Sequence, residues 1–174
     1  MDEIGDIEFD KEKFKQTLHY IISQCGHLEN IGKTVLYKIL YFSDFDYYEL
    51  YEENLTGEVY RKLPNGPAPV HFEEVMEELE AEGKINHFPV KSGDFIQQKF
   101  LSCKEPNLVL LSGKEIRTIG RVIAKCFSMN ARQISAFSHE DMPYKATKDR
   151  EIIDYEMVFY RNLLFSVREY GEDD

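Results

Sequence analysis

The chain has 174 residues, of which 43% are apolar, 30% charged and 13% aromatic, with no Trp. This balance fits one globular domain, residues 1–174, with a core of Phe and Tyr; it excludes a disordered chain, and no apolar run is long enough to span a membrane. The formal net charge of −11 works against attraction to a nucleic-acid backbone and favours a basic protein partner.

The acidic start, MDEIGDIEFD, lacks a signal-type apolar region, and the acidic clusters at 2–12 and 169–174 read as solvated, frayed ends. From Phe9 to Leu28 the residues Phe14, Leu18, Ile21, Ile22 and Cys25 recur at helical spacing, with Gly26 as a stop. A second helix opens with Asn30 as cap and runs to about Glu53 before Asn54 and Gly57 break it. Val35, Leu36, Ile39, Leu40, Phe42 and Leu50 share one face of it, and Tyr37, Tyr41, Asp44, Tyr48 and Tyr51 share the other. Two readings stay open there: a central helix buried on both sides, or a tyrosine-rich docking strip.

The stretch YRKLPNGPAPVHF, residues 60–72, is a stiff corner in which Pro64, Pro67 and Pro69 restrict their own φ and bias the preceding residues towards extended backbone. Phe72, Val75, Met76 and Leu79 then form an amphipathic helix, with glutamates on its other face and Gly83 at its end. KINHFPVKS and FIQQKFLSC, joined at Gly93-Asp94, predict a small antiparallel hairpin with Pro89 at an edge. A further helix starts near Ser112, with Ile116, Ile119, Ile123 and Phe127 towards the core and Lys114, Arg117, Arg121 and Lys125 away from it. That basic stripe is the one feature that could argue for a phosphate backbone, but with no helix-turn-helix pair after it and a negative chain overall it reads as a solvated face or as the counterpart of the glutamate-rich helix. Ala131–Phe137 is a short helix, Pro143 ends the segment after Ser138, and DYEMVFYRNLLFSVREY is a last helical segment. The fold class is therefore mainly α (α+β), a compact helical domain with a small antiparallel hairpin.

Chemistry is thinly represented. The three cysteines, 25, 103 and 126, show no CxxC spacing and suit the reduced thiols of a cytoplasmic protein, and the five histidines include no HExxH. No cofactor or metal is expected. Ser138 and His139 stand beside Glu140 and Asp141, but sequence adjacency does not assemble a triad and there is no GxSxG elbow. The expectation is a protein without enzymatic activity; a small hydrolase using His139 is the alternative.

The segment from GKTVLYKILYFSDFD through LTGEVYRKLPNGPAP to EGKI resembles the Panacea domain, the SocA-like antitoxin family also described as phage-associated. That family's pattern is a K-LLY-AD helix, then TG, then an aromatic before a GP-P corner. ARQISAFSHEDMPYKAT followed by IDYEMVFYR is similar to its second motif, a Ser-His segment leading to Pro and usually Trp, where this chain has Tyr144. The resemblance spans roughly residues 30–161. It implies a helical domain that neutralises a toxin protein, encoded by an adjacent gene, through direct binding; some members instead deliver the toxin to a protease. Many members carry an added DNA-binding domain, for which this length leaves no room, so no direct nucleic-acid contact is expected. The residues placed on the partner-binding surface, or bracing it, are Tyr37, Tyr41, Asp44, Tyr60, Pro64, Gly66, Pro67, Ser135, His139 and Tyr144. The corner's other role would be only to set the angle into the acidic helix.

Overall fold

The computed structural model describes residues 7–171. Its elements in chain order are α1 (Lys11–Cys25), α2 (Lys33–Tyr51), β1 (Tyr60–Leu63), β2 (Gly66–Pro69), α3 (Phe72–Ala81), β3 (Ile85–Ser92), β4 (Phe95–Ser102), α4 (Gly113–Cys126), α5 (Ala131–His139), α6 (Met142–Lys145) and a 3-10 helix over Tyr155–Tyr160. The mainly helical α+β class is as expected.

Helix α2 is the axis of the domain. Val35, Leu36, Ile39, Leu40, Tyr41, Phe42 and Phe45 are all buried, and α4, α5, β2 and the 3-10 helix pack around them. A helix apolar on every side can exist only when covered on every side, so the central-helix reading holds for this stretch. It starts at Gly32 rather than Asn30. The Asn30 amide instead donates to the carbonyls of Phe127 (2.8 Å) and Met129 (2.7 Å), closing the end of α4.

Helix α1 begins on Asp10, whose carboxylate accepts from the Lys13 amide, and its lysines meet the glutamates of α3. Lys11 reaches Glu74 at 3.0 Å and Glu78 at 2.5 Å, and Lys15 pairs with Glu82. The glutamate face is thus matched from α1, with Lys33 of α2 on Glu73, and not from the basic stripe of α4 that was one expected counterpart. At the chain ends, Asp10 is a helix cap and the Tyr170 hydroxyl donates to Glu49 at 3.0 Å. Both described edges are therefore tied down rather than frayed; residues 1–6 and 172–174 lie outside the described residues.

The structure corrects four further expectations. The proline corner contains a second hairpin: β1 pairs antiparallel with β2, from Tyr60↔Pro69 to Leu63↔Gly66 around Pro64-Asn65. The chain tolerates Pro67 and Pro69 because they lie in β2, the edge strand, whereas β1 is also bridged on its other side through Arg61 to Ile152. Pro143 starts α6 instead of ending a segment, since a helix's first turn does not need the amide hydrogen that proline lacks. Phe127 is 46% exposed; α4 buries Ile119 as expected, but with Val122 and Cys126 beside it. The last segment, finally, is a 3-10 helix followed by turns. Asp154 and Asn162 bind the amides of Glu156 (2.9 Å) and Leu164 (3.0 Å), local bonds that compete with a helical ladder.

The expected hairpin at 85–102 is present, with eight paired positions from Ile85↔Ser102 to Ser92↔Phe95. Its base is buried through Ile85 and Phe100, while Phe95 at the tip is 79% exposed. From β4, Lys99 donates to the carbonyl of Ile31 at 3.0 Å and to that of Leu28, satisfying the loop between α1 and α2.

Helix α4 is opened by a reciprocal cap: the Ser112 hydroxyl accepts from Glu115 N–H, and the Glu115 carboxylate accepts from Ser112 N–H. Ser112→Ala is expected to cost about 1 kcal/mol, read as a fall of about 2–4 °C in melting temperature.

Candidate functional site

The site is built outward from a buried cation. Arg161, with a fully buried side chain, grips Asp141 through two bonds, Nε to Oδ1 at 2.9 Å and Nη2 to Oδ2 at 2.8 Å. Its Nη1 reaches Asp46 at 2.8 Å and Glu49 at 3.1 Å, both on α2. Burial alone would lower the guanidinium's pKa; the charges of Asp46 and Asp141 outweigh it, so the group is held protonated more firmly than usual. Burial pushes the Asp46 carboxyl up, against the pull of Arg161 and Lys125. The remaining negative charge is spread over donors: Glu49 accepts from the Ser166 hydroxyl (2.6 Å), Val167 N–H (3.1 Å) and the Tyr170 hydroxyl (3.0 Å). The Tyr41 hydroxyl donates to Asp141 at 2.8 Å.

One turn along α2, Asp44 accepts from the Thr56 amide (3.0 Å) and hydroxyl (2.8 Å) and from the Tyr60 hydroxyl (2.5 Å). Burial raises this carboxyl to about 7 in spite of those donors. Beside it the buried Glu58 accepts from the amides of Val59 (2.7 Å) and His71 (2.9 Å) and faces the His71 ring at 2.6 Å, fixing both flanks of the β1–β2 hairpin.

Tyr41, Asp44 and Tyr60 therefore sit in the interior, where they brace the hairpin and α2; Tyr41 and Tyr60 are each 0% exposed. Tyr37 is half-buried, edge-on to Phe72 at 4.9 Å. The other proposed residues cluster around the β1–β2 turn and α5, some buried and some at the surface. The Tyr144 hydroxyl donates to the Leu63 carbonyl at 2.6 Å, and the His139 ring stacks on Tyr144 at 4.9 Å. Pro64 is exposed at the hairpin turn, Gly66 and Pro67 are buried beneath it, and Ser135 is half-buried on α5. Between turn and helix lies an open groove of about 410 Å³, lined by Thr34, Asn65, Ala131, Arg132, Ser135 and His139 among others.

Two residues of this region were not singled out from the sequence. Lys38 and Arg161 each stand as a lone cation in an apolar run, VLYKILYF and MVFYRNLLF, and that isolation is the signal that could have flagged them. Nor does the structure assemble Ser138, His139 and Asp141 into a relay. Ser138 donates to the Ser135 carbonyl at 2.9 Å, while Asp141 is taken up by Arg161 and Tyr41.

The family model for the antitoxin SocA-like, Panacea domain matches residues 36–145. The chain belongs to this family. No curated protein and no solved structure matches it. The Panacea match runs from the first turn of α2 to the end of α6, so it contains the β1–β2 turn and α5 on either side of the groove, whereas Thr34 of the lining precedes it and Arg161 reaches the matched carboxylates from beyond it. Among the described residues no helix is long and apolar enough to cross a membrane.

Arg161→Met leaves buried carboxylates without their cation and is expected to destabilise the fold by roughly 3–5 kcal/mol in denaturant titration. Arg161→Lys should not restore it, because one ammonium cannot reproduce the fork. For Asp44 the sign follows from a native pKa near 7 against an ordinary value of about 4. Between those values the native state binds more protons than the unfolded chain, so this residue's contribution falls as pH rises. The stability difference, wild type minus Asp44→Asn, should therefore decline from pH 4 to pH 7 in urea titrations, and a flat difference would refute the assignment.

Proposed function

We propose that this protein is the antitoxin of a toxin–antitoxin pair and neutralises a toxin protein by binding it directly, in the cytoplasm, with the β1–β2 turn and α5 as the contact face. The observation that carries this reading is the Panacea match over residues 36–145, within which the hairpin turn and α5 meet at the surface around one groove. The bracing beneath supports it: Tyr144 on Leu63, His139 on Tyr144 and Glu58 across the hairpin flanks hold the face in place. A preformed face loses little entropy on binding. Net charge supports a protein partner with basic surface and works against nucleic acid. A hydrolytic role for His139 would need a base or orienting acid, and the neighbouring Asp141 is committed to Arg161.

The test is co-expression with the product of the adjacent gene, scoring growth and co-purification in the same cells. Restored growth together with a stoichiometric complex is expected. Restored growth with falling toxin levels and no complex would replace binding by delivery to a protease, and unrestored growth without a complex would remove the antitoxin role for that pair.

A further inference from the structure

Lys38 is 1% exposed, in the second turn of α2. Its terminal atoms lie against the α-carbon of Gly66: a Cβ built there would stand 2.6 Å from Lys38 Cε, 3.1 Å from its Nζ and 2.6 Å from the Ser138 hydroxyl. Gly66 has φ +117°, so the turn both needs glycine and admits the lysine because it is glycine. Among the described residues no hydrogen bond or ion pair reaches the Lys38 ammonium, which stands 5.8 Å from the centre of the Tyr37 ring. Burial brings its pKa down to about 8. A cation held this way costs stability until an anion joins it.

The surroundings share the deficit. Thr34, one turn before Lys38 on α2, and Asn65, next to Gly66, line the groove. His139 Nε2 is buried there without a hydrogen-bond partner. Arg132 makes no ion pair among the described residues, and the Lys62 ammonium lies over the Tyr144 ring at 4.5 Å. Ala131 and Arg132 also put the positive end of α5 at the rim. Arg132 thus lines the groove itself, while Lys38 lies behind it, one turn from Thr34 and against Gly66, the neighbour of Asn65.

We propose that this groove is an anion socket that receives a carboxylate of the protein partner, an acidic side chain, with Lys38 as its buried counter-charge and Arg132 and His139 at its mouth. The identity of the partner rests on the antitoxin reading; the socket itself does not. A chain-terminal carboxylate shares the chemistry, and variants of the partner distinguish the two.

Two measurements on the free protein decide the socket. Lys38→Met, close in volume, should melt no lower than wild type, because it removes an uncompensated charge; a lower melting temperature would mean that Lys38 already has its partner, and would overturn the proposal. Titration with sodium acetate at constant ionic strength should give saturable NMR shifts at the Gly66 amide and the His139 ring that disappear in Lys38→Met. No shift overturns the proposal, and a response to phosphate but not acetate overturns the carboxylate assignment. In the complex, Lys38→Met and Arg132→Ala should each weaken binding of the adjacent gene's product by about tenfold or more, as expected for a charge-assisted hydrogen bond. Unchanged affinity overturns the socket as a contact point. Loss on neutralising one toxin Asp or Glu, not additive with Lys38→Met, identifies a side chain; loss only on extending the toxin's C-terminus identifies the chain end and corrects the side-chain assignment. If the wild type does not bind the neighbour at all, the antitoxin reading fails for that pair while the acetate and melting results still decide the socket.

Discussion

One buried guanidinium sets the arrangement of the domain. Arg161 lies beyond the segment matched by the Panacea family model, yet it joins Asp46 and Glu49 on α2 to Asp141 before α6. Buried carboxylates repel one another and lose their hydration, and only a planar cation with several donors can face them together. The turns after Asn162 follow from that demand, since Ser166, Val167 and Tyr170 must curl back to supply Glu49 with its other donors. The last segment is consequently ordered by polar bonds to the interior rather than by an apolar helical face.

The polar interior explains why a helix as apolar as α2 can carry a tyrosine stripe. Tyr41 and Tyr60 are each wholly buried, and each hydroxyl donates to an aspartate, Asp141 and Asp44 respectively. Burial and the adjacent carboxylates both push these phenols well above their usual pKa, which keeps them neutral donors. Their function is to couple the hairpin and α6 to the axis of the fold, so that the surface formed by Asn65, Ser135 and His139 rests on fixed supports.

Two lone cations in apolar runs meet opposite fates. Arg161 is paired with three carboxylates; Lys38 makes no ion pair among the described residues. The difference lies in their neighbours: Arg161 points among the acidic residues of α2, while Lys38 points towards Gly66 and the hydroxyl of Ser138. A satisfied charge contributes to the fold, and an unsatisfied one is a cost that binding can offset.

How much of this was legible in the sequence differs by element. The amphipathic periods of α1, α3 and α4, the turn at Gly93-Asp94 with its flanking strands, and the Panacea motifs are local patterns, and local patterns survive folding because backbone propensity and burial agree there. The β1–β2 hairpin was not legible, because prolines in a strand look like a loop until they are seen to lie in an edge strand. The final segment misled because its apolar residues suggested a helix, while Asp154 and Asn162 turned the backbone aside. At the site, sequence placed Tyr37, Tyr41, Asp44, Tyr60 and His139 together as a candidate surface without separating brace from face. Sequence by itself determined which side chains this protein has to bury and roughly where its helices run. Only tertiary structure decided which tyrosines face inward, which carboxylates Arg161 binds and that Lys38 makes no ion pair among the described residues, because the free energy of a buried charge depends on neighbours a hundred residues or more away in the chain.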